Sequence, residues 1–214
     1  SGALAAGLIG DALVTRLPRE GWRYAYALGG AVGLLLLVLR LSVFESGLFE
    51  RTKAAHVPHG DVRQLLFPME RGLRFLRVIM VGMPIWFVAG VLFVFSPEIG
   101  LALGLPQKPT GGQTIFWAYT GVTIGDLLSG FVSHAVKSRK RVIGVFLSSV
   151  ALSVITLLTI GGRSMTTYYA LMAVLGFTTG YWVLFVTTAA EQFGTNLRAT
   201  VTTSAPNFVR GTAI

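Results

Sequence analysis

Hydrophobic positions in this 214-residue chain gather in long blocks instead of alternating with polar ones. Most blocks approach or exceed the roughly 20 residues that a helix needs to cross a bilayer. About seven segments follow from this pattern: 1–15, 24–44, 77–104, 114–136, 142–161, 168–190 and 199–214. One long polar connection, 45–76, separates the second from the third, and the other connections are short. Inside it, "VRQLLFPMERGLRFL" predicts a short amphipathic helix leading into the next span. The expectation is an all-α, polytopic transmembrane helix bundle with a single long loop. Both ends of the chain fall inside apolar segments, so it reads as a piece of a longer protein cut within a helix at each end. "SGALAAGLIGDALV" lacks a basic start and contains Asp11, so it does not read as a signal peptide.

Charge then sets the orientation. Only 13% of residues are charged, against about 25% in a typical soluble domain. The formal net charge of +9 does not point to nucleic acid, because the cations flank the apolar blocks and form no solvent-facing stripe. One side holds Arg40, Arg51, Lys53, Arg63, Arg71, Arg74, Arg77, Lys137, Arg139, Lys140, Arg141 and Arg198. The other holds Arg16, Arg19, Arg23, Lys108 and Arg163, while Arg210 falls inside the last segment. The positive-inside bias places loop 45–76 and the 137–141 cluster in the cytoplasm. On the plainest reading that cluster anchors a helix end among lipid headgroups. The chain has no cysteine, which removes disulfides and thiolate chemistry from consideration.

The segments differ in character. Residues 24–44 and 142–161 are apolar almost all round, as lipid-facing helices are. Residues 114–136 and 168–190 carry Thr123, Asp126, Ser129, Thr178, Thr179, Tyr181 and Trp182 together with Gly121, Gly125, Gly130, Gly176 and Gly180. Segment 77–104 is interrupted by Pro84, Gly90 and Pro97. Irregular or glycine-rich backbone at membrane depth belongs where it lines a cavity or packs closely. A polar interior walled by the third, fourth and sixth segments is therefore expected. Asp126 sharpens this, since an aspartate at a helix centre costs about 2.5–3.5 kcal/mol to insert. Thr123, Asp126, Gly130 and Ser133–His134 share one helical face, which points to protein or water. Three roles stay open for Asp126: an ion pair with a neighbouring helix, a packing hydrogen bond, or proton coupling and substrate contact, for which a desolvated acid is suited.

Four stretches resemble the major facilitator superfamily of secondary transporters. "GWRYAYALGG" (21–30) is similar to the entry to the sixth helix of those proteins. "FESGLFE" (44–50) resembles the exit from that helix in the metabolite:proton symporter branch, a sugar porter-like group. "GFVSHAVKSRKRV" (130–142) sits where the family places its basic loop between helices eight and nine. "EQFGTNLRAT" (191–200) resembles the signature at the cytoplasmic end of the tenth helix. The resemblance implies part of a twelve-helix fold, running from about helix five to part of helix eleven. Residues 1–44 would close the N-terminal bundle, 45–76 would be the cytoplasmic inter-bundle loop, and 77–214 would form the C-terminal bundle. His134 stands where the family has an aspartate, Lys137 where it has a glycine, and Gly194 where it has a proline. Glu191 and Arg198, with Arg139, Lys140 and Arg141, remain as candidates for a cytoplasmic gate or as passive helix-end contacts.

The remaining candidates are few. Arg210 either pairs with an acid, binds an anionic substrate or snorkels. Trp86, Tyr181 and Trp182 lie on broken helices, where a substrate wall would be built. His56 and His59 read as a solvated loop, Glu98 as solvated, and Asp11 as a helix-end or substrate contact. No catalytic motif, metal set or cofactor site is legible. The expected function is secondary active transport of a small polar or anionic metabolite, coupled to protons or another ion, by symport as the resemblance implies. The expected setting is the bacterial inner membrane, with lipids and the rest of the same protein as partners. A transport-inactive scaffold or sensor that keeps the fold is the alternative.

Overall fold

A computed structural model describes residues 2–17, 19–41, 63–193 and 195–212. Every element among them is helical: α1 (Gly2–Arg16), α2 (Gly21–Leu41), α3 (Arg63–Leu66), α4 (Met69–Phe87), α5 (Ser96–Ala102), α6 (Gly111–Val136), α7 (Arg139–Ile160), α8 (Met165–Thr179), α9 (Trp182–Glu191) and α10 (Thr195–Thr212). A π-helical turn, Val88–Phe93, continues α4. Five stretches among the described residues are long and apolar enough to cross a membrane: Gly21–Arg40, Met69–Phe93, Gly111–Val136, Arg139–Arg163 and Met165–Glu191. "HVPH", "FESGLFE" and Gly194 lie outside the described residues, as does the side chain of Asp11.

Three boundaries differ from the expectation. The amphipathic stretch before the third span is divided: its start forms the short helix α3, Arg63–Leu66, while from Met69 it belongs to α4, which runs on into the span. Its first turns bury Phe75 and Val78 while Arg71, Arg74 and Arg77 stay exposed, so one helix serves both the interface and the membrane. Pro84 lies inside α4 without ending it, whereas Pro97 sits in the first turn of α5, where its missing N–H costs nothing. At the two ends of the chain, α1 has 15 residues, short of a full crossing. α10 is amphipathic, with Leu197, Val201, Ala205 and Val209 buried at four-residue spacing.

Packing follows the glycines. The most extensive helix contact joins α6 to α8, across Gly121 and Gly125 on one side and Gly176 and Gly180 on the other. A Cβ on Gly121 would meet the Ala173 carbonyl, one on Gly125 the Phe177 carbonyl, and one on Gly176 the Ala118 carbonyl. Lipid tails are as apolar as leucine, so such close backbone packing is what holds membrane helices together. α7 covers the other side of α8 through buried Ile143, Phe146, Val150 and Leu157. α4 and α10 close the bundle near Gly82, where an added Cβ would lie 2.8 Å from the Phe185 ring and 3.0 Å from Val209. α2 faces outward: its described residues other than Gly21 and Ala25 are exposed, as a lipid-facing helix requires.

A polar chain ties the outer ends together. The Tyr168 hydroxyl donates to the Ser96 carbonyl at 2.7 Å, and the Ser96 hydroxyl donates to Thr114 Oγ1 at 2.8 Å. Thr114 in turn donates to the Thr110 carbonyl at 3.1 Å. Each of these buried groups has a partner, as an interior without water demands.

Candidate functional site

The span Met165–Glu191 is broken at Gly180–Tyr181, between α8 and α9. Local chemistry makes the break. The Thr178 hydroxyl donates to the Leu175 carbonyl and the Thr179 hydroxyl to the Gly176 carbonyl, both at 2.9 Å or less, in competition with the helix's own bonding. Gly180 then lets the chain lie against α6, since a Cβ there would stand 2.5 Å from the Asp126 backbone nitrogen. Trp182 opens α9, whose first N–H groups and positive dipole end face α6.

Asp126 meets that helix end. The backbone N–H groups of Trp182 and Val183 act on its carboxylate, while its Oδ1 is buried without a hydrogen-bond partner. No described basic side chain lies within ion-pair distance of it. The carboxyl borders a cavity of about 510 Å³ between α4, the π turn, α6 and the α8–α9 break. Trp86, Phe93, Tyr119, Thr123, Thr179 and Trp182 line the same space. Ala89 and Phe93 come from the π turn, a distortion frequent at functional sites.

The two tryptophans named in the sequence stand together here. Their rings meet edge to face at 5.8 Å between centroids, and Trp86 Nε1 is buried without a partner. The Arg210 guanidinium from α10 lies 4.5 Å from the Trp86 ring centre, a stacking contact that satisfies its charge partly through the ring. Arg210 is exposed and outside the cavity lining. Tyr181 is not part of this wall. It is fully buried, it packs on Phe146, and its hydroxyl donates to the Val81 carbonyl at 2.9 Å, beside the turn that Pro84 disturbs.

At the end of the bundle where α7 starts and α9 stops, Arg139 and Glu191 form an ion pair at 2.5 Å. Its geometry leaves Arg139 Nη1 without a directed hydrogen bond. Lys140, Arg141 and Arg198 have no ion-pair partner among the described residues, so the sequence's five gate candidates reduce to one contact. A sixth residue joins it: Arg74 Nη1 donates to the Gln192 carbonyl at 3.0 Å, just past the end of α9. Sequence reading treated Arg74 only as an orientation marker, and nothing in its spacing names this partner. On the opposite end, Glu98 is exposed and paired with Lys108 at 2.9 Å. That ammonium holds the Glu98 carboxyl below the usual carboxylate range. Among the described residues no group of three or more acidic or histidine side chains gathers to hold a metal.

A helical bundle with membrane-spanning helices, one of them broken against a buried acid that borders a cavity, has the build of a membrane transporter. Residues 1–211 match the family profile described as Major Facilitator Superfamily, and the chain belongs to that superfamily of membrane transporters. No curated protein and no solved structure matches it.

Proposed function

We propose that the protein is a secondary active transporter that moves a small polar metabolite by alternating access, coupled to protons. The observation that carries this reading is Asp126, an unpaired acid beside a ligand-sized cavity at a helix break. Asp126 and Arg210 are the ionisable groups from which proton coupling and substrate contact would be drawn, with Trp86 and Trp182 as wall. An anionic substrate would have to be met by Arg210, since the lining itself holds no cation. Symport and the metabolite:proton branch are what the resemblance of 44–50 and 191–200 favours, and the bacterial inner membrane is the matching setting. In the same reading, 1–44 belongs to the N-terminal bundle, 45–76 is the cytoplasmic connection and 77–214 is the C-terminal bundle. The rest of the N-terminal bundle would supply the facing wall of the cavity. Arg139 and Glu191, paired within the C-terminal bundle, would form its share of an inner gate, and the contacts they offer the other half would break and reform as the halves rock.

The test uses the full-length protein in proteoliposomes, with charge movement recorded on solid-supported membranes under an inward proton gradient. Pools of amines, amino acids, organic acids and sugars are applied to the wild type and to Asp126→Asn. A pool-specific current that falls in the variant is expected. Silence with every pool, from protein shown to be folded, would favour electroneutral exchange or the scaffold alternative, which labelled-substrate uptake then separates.

A further inference from the structure

We infer that the cavity between α4, α6 and α9 takes a small organic molecule carrying an ammonium group, with Asp126 opposite that charge. The inference rests on the cavity being the transport site and goes further by naming the chemistry of what enters it. Three observations converge. First, the lining carries one carboxyl group, Asp126, and no basic side chain, and the Asp126 Oδ1 has no partner. The Trp182 and Val183 N–H groups act on that carboxylate but leave Oδ1 open; an anion placed there would meet a like charge, whereas an ammonium supplies a full counter-charge. Second, four aromatic rings, Trp86, Phe93, Tyr119 and Trp182, border the same space. Their negative faces attract cations, the more so away from water, and one of them, Trp86, already meets a cation from outside the lining, with Arg210 4.5 Å from its ring centre.

Third, two of the three lining hydroxyls, those of Thr123 and Thr179, are turned away from anion binding. Thr123 donates its proton to the Tyr119 carbonyl at 2.8 Å, and Thr179 donates to the Gly176 carbonyl at 2.8 Å. Their oxygens therefore present lone pairs to the cavity, which suit N–H donors. The unpartnered Trp86 Nε1 is the contrary feature, and one indole N–H fits a hydroxyl or carbonyl on the apolar body of the ligand without altering the sign of the site. Arg210 stays outside the lining and is held on Trp86, so it adds no cation to the lining itself.

The experiment is isothermal titration calorimetry on the full-length protein in nanodiscs at neutral pH, with three probes of matched aromatic body: benzylammonium, benzyl alcohol and benzoate. Saturable binding of the ammonium is expected, at least tenfold tighter than the alcohol, with no binding of benzoate. Asp126→Asn should bring the ammonium down to the affinity of the alcohol, while Asp126→Glu keeps the preference. Benzoate binding as tightly as the ammonium would overturn the inference and leave the cavity as the transport site. A folded Asp126→Asn protein that keeps the tenfold preference would also overturn it. Saturable binding of none of the three would overturn the inference and the reading of the cavity together.

Discussion

Arg139 and Glu191 are joined as an ion pair in which each stands at the end of a helix that disfavours its charge. Arg139 is the first residue of α7, at the positive dipole end, and Glu191 is the last of α9, at the negative end. Both side chains are substantially exposed, so the pair contributes about 0–1 kcal/mol.

Exchanging the two charges therefore tests whether weakness is the point. The double variant Arg139→Glu with Glu191→Arg keeps the pair and reverses both dipole terms, each about 0.3–1 kcal/mol. Thermal unfolding should shift upward by a few degrees. If the pair is part of an inner gate, transport should change, because the charges it offers the other half have traded places. Unchanged transport with a raised melting temperature would mark the pair as a passive contact.

Lys137 caps α6 with φ 51° and ψ 28°, the left-handed region that glycine occupies without cost. A non-glycine residue there costs about 1–2 kcal/mol. Lys137→Gly should stabilise the protein by about 1 kcal/mol, and Lys137→Val should destabilise it by more than that. Denaturation in detergent compares the three. The glycine that the resemblance implies at this place would thus have a backbone reason, the left-handed conformation that Lys137 adopts.

The glycine seam offers an internal control. A Cβ on Gly125 meets the Phe177 carbonyl, a backbone atom that cannot swing aside, whereas a Cβ on Gly130 of the same helix meets nothing within 4 Å. Gly125→Ala should cost about 1–3 kcal/mol or more through forced separation of α6 and α8. Gly130→Ala should be neutral or stabilising by up to about 1 kcal/mol through helix propensity. Equal effects would sink the close-packing account.

Tyr181 and Trp182 are neighbours with different duties. Tyr181→Phe removes the hydrogen bond to Val81 and should lower stability by about 1 kcal/mol, with ligand selectivity unchanged. Trp182→Leu should alter ligand affinity, because its ring borders the cavity and meets Trp86. Calorimetry and thermal unfolding on both variants separate the two effects.

The Lys108 ammonium lowers the Glu98 carboxyl, and both groups lie outside the spanning stretches. A lowered carboxylate contributes stability above its unfolded value and loses that contribution as pH falls through the folded one. Wild type should therefore melt slightly above Lys108→Gln near neutral pH, and the two should converge on acidification. A difference that persists at low pH would mean that Lys108 acts through something other than Glu98.

Much of this was legible in the chain itself, and for definite reasons. Asp126 stood out because a carboxylate in an apolar run is expensive wherever it lands, and its small, polar face had to turn inward. Trp86 and Trp182 were picked out by the breaks beside them. Tyr181 was picked out on the same ground and lies elsewhere, because a residue at a break can turn either way and only the packing of Phe146 and the Val81 carbonyl decides. The stacking of Arg210 on Trp86 joins positions far apart in sequence, and no local pattern encodes it. The early start of α4 was hidden because Arg71, Arg74 and Arg77 lower the local hydropathy while the backbone remains helical.

The contact of α6 with α8 has a mechanical consequence. Where two backbones touch through glycine there is no layer of side chains to rearrange, and close-packed interiors do not deform smoothly. These two helices must then travel as a single slab. The compliance of the cavity is left to its other boundary, where the π turn and Pro84 already loosen α4. Asp126 is fixed to the rigid side, so the site tightens or slackens by the approach of the Trp86 wall toward it.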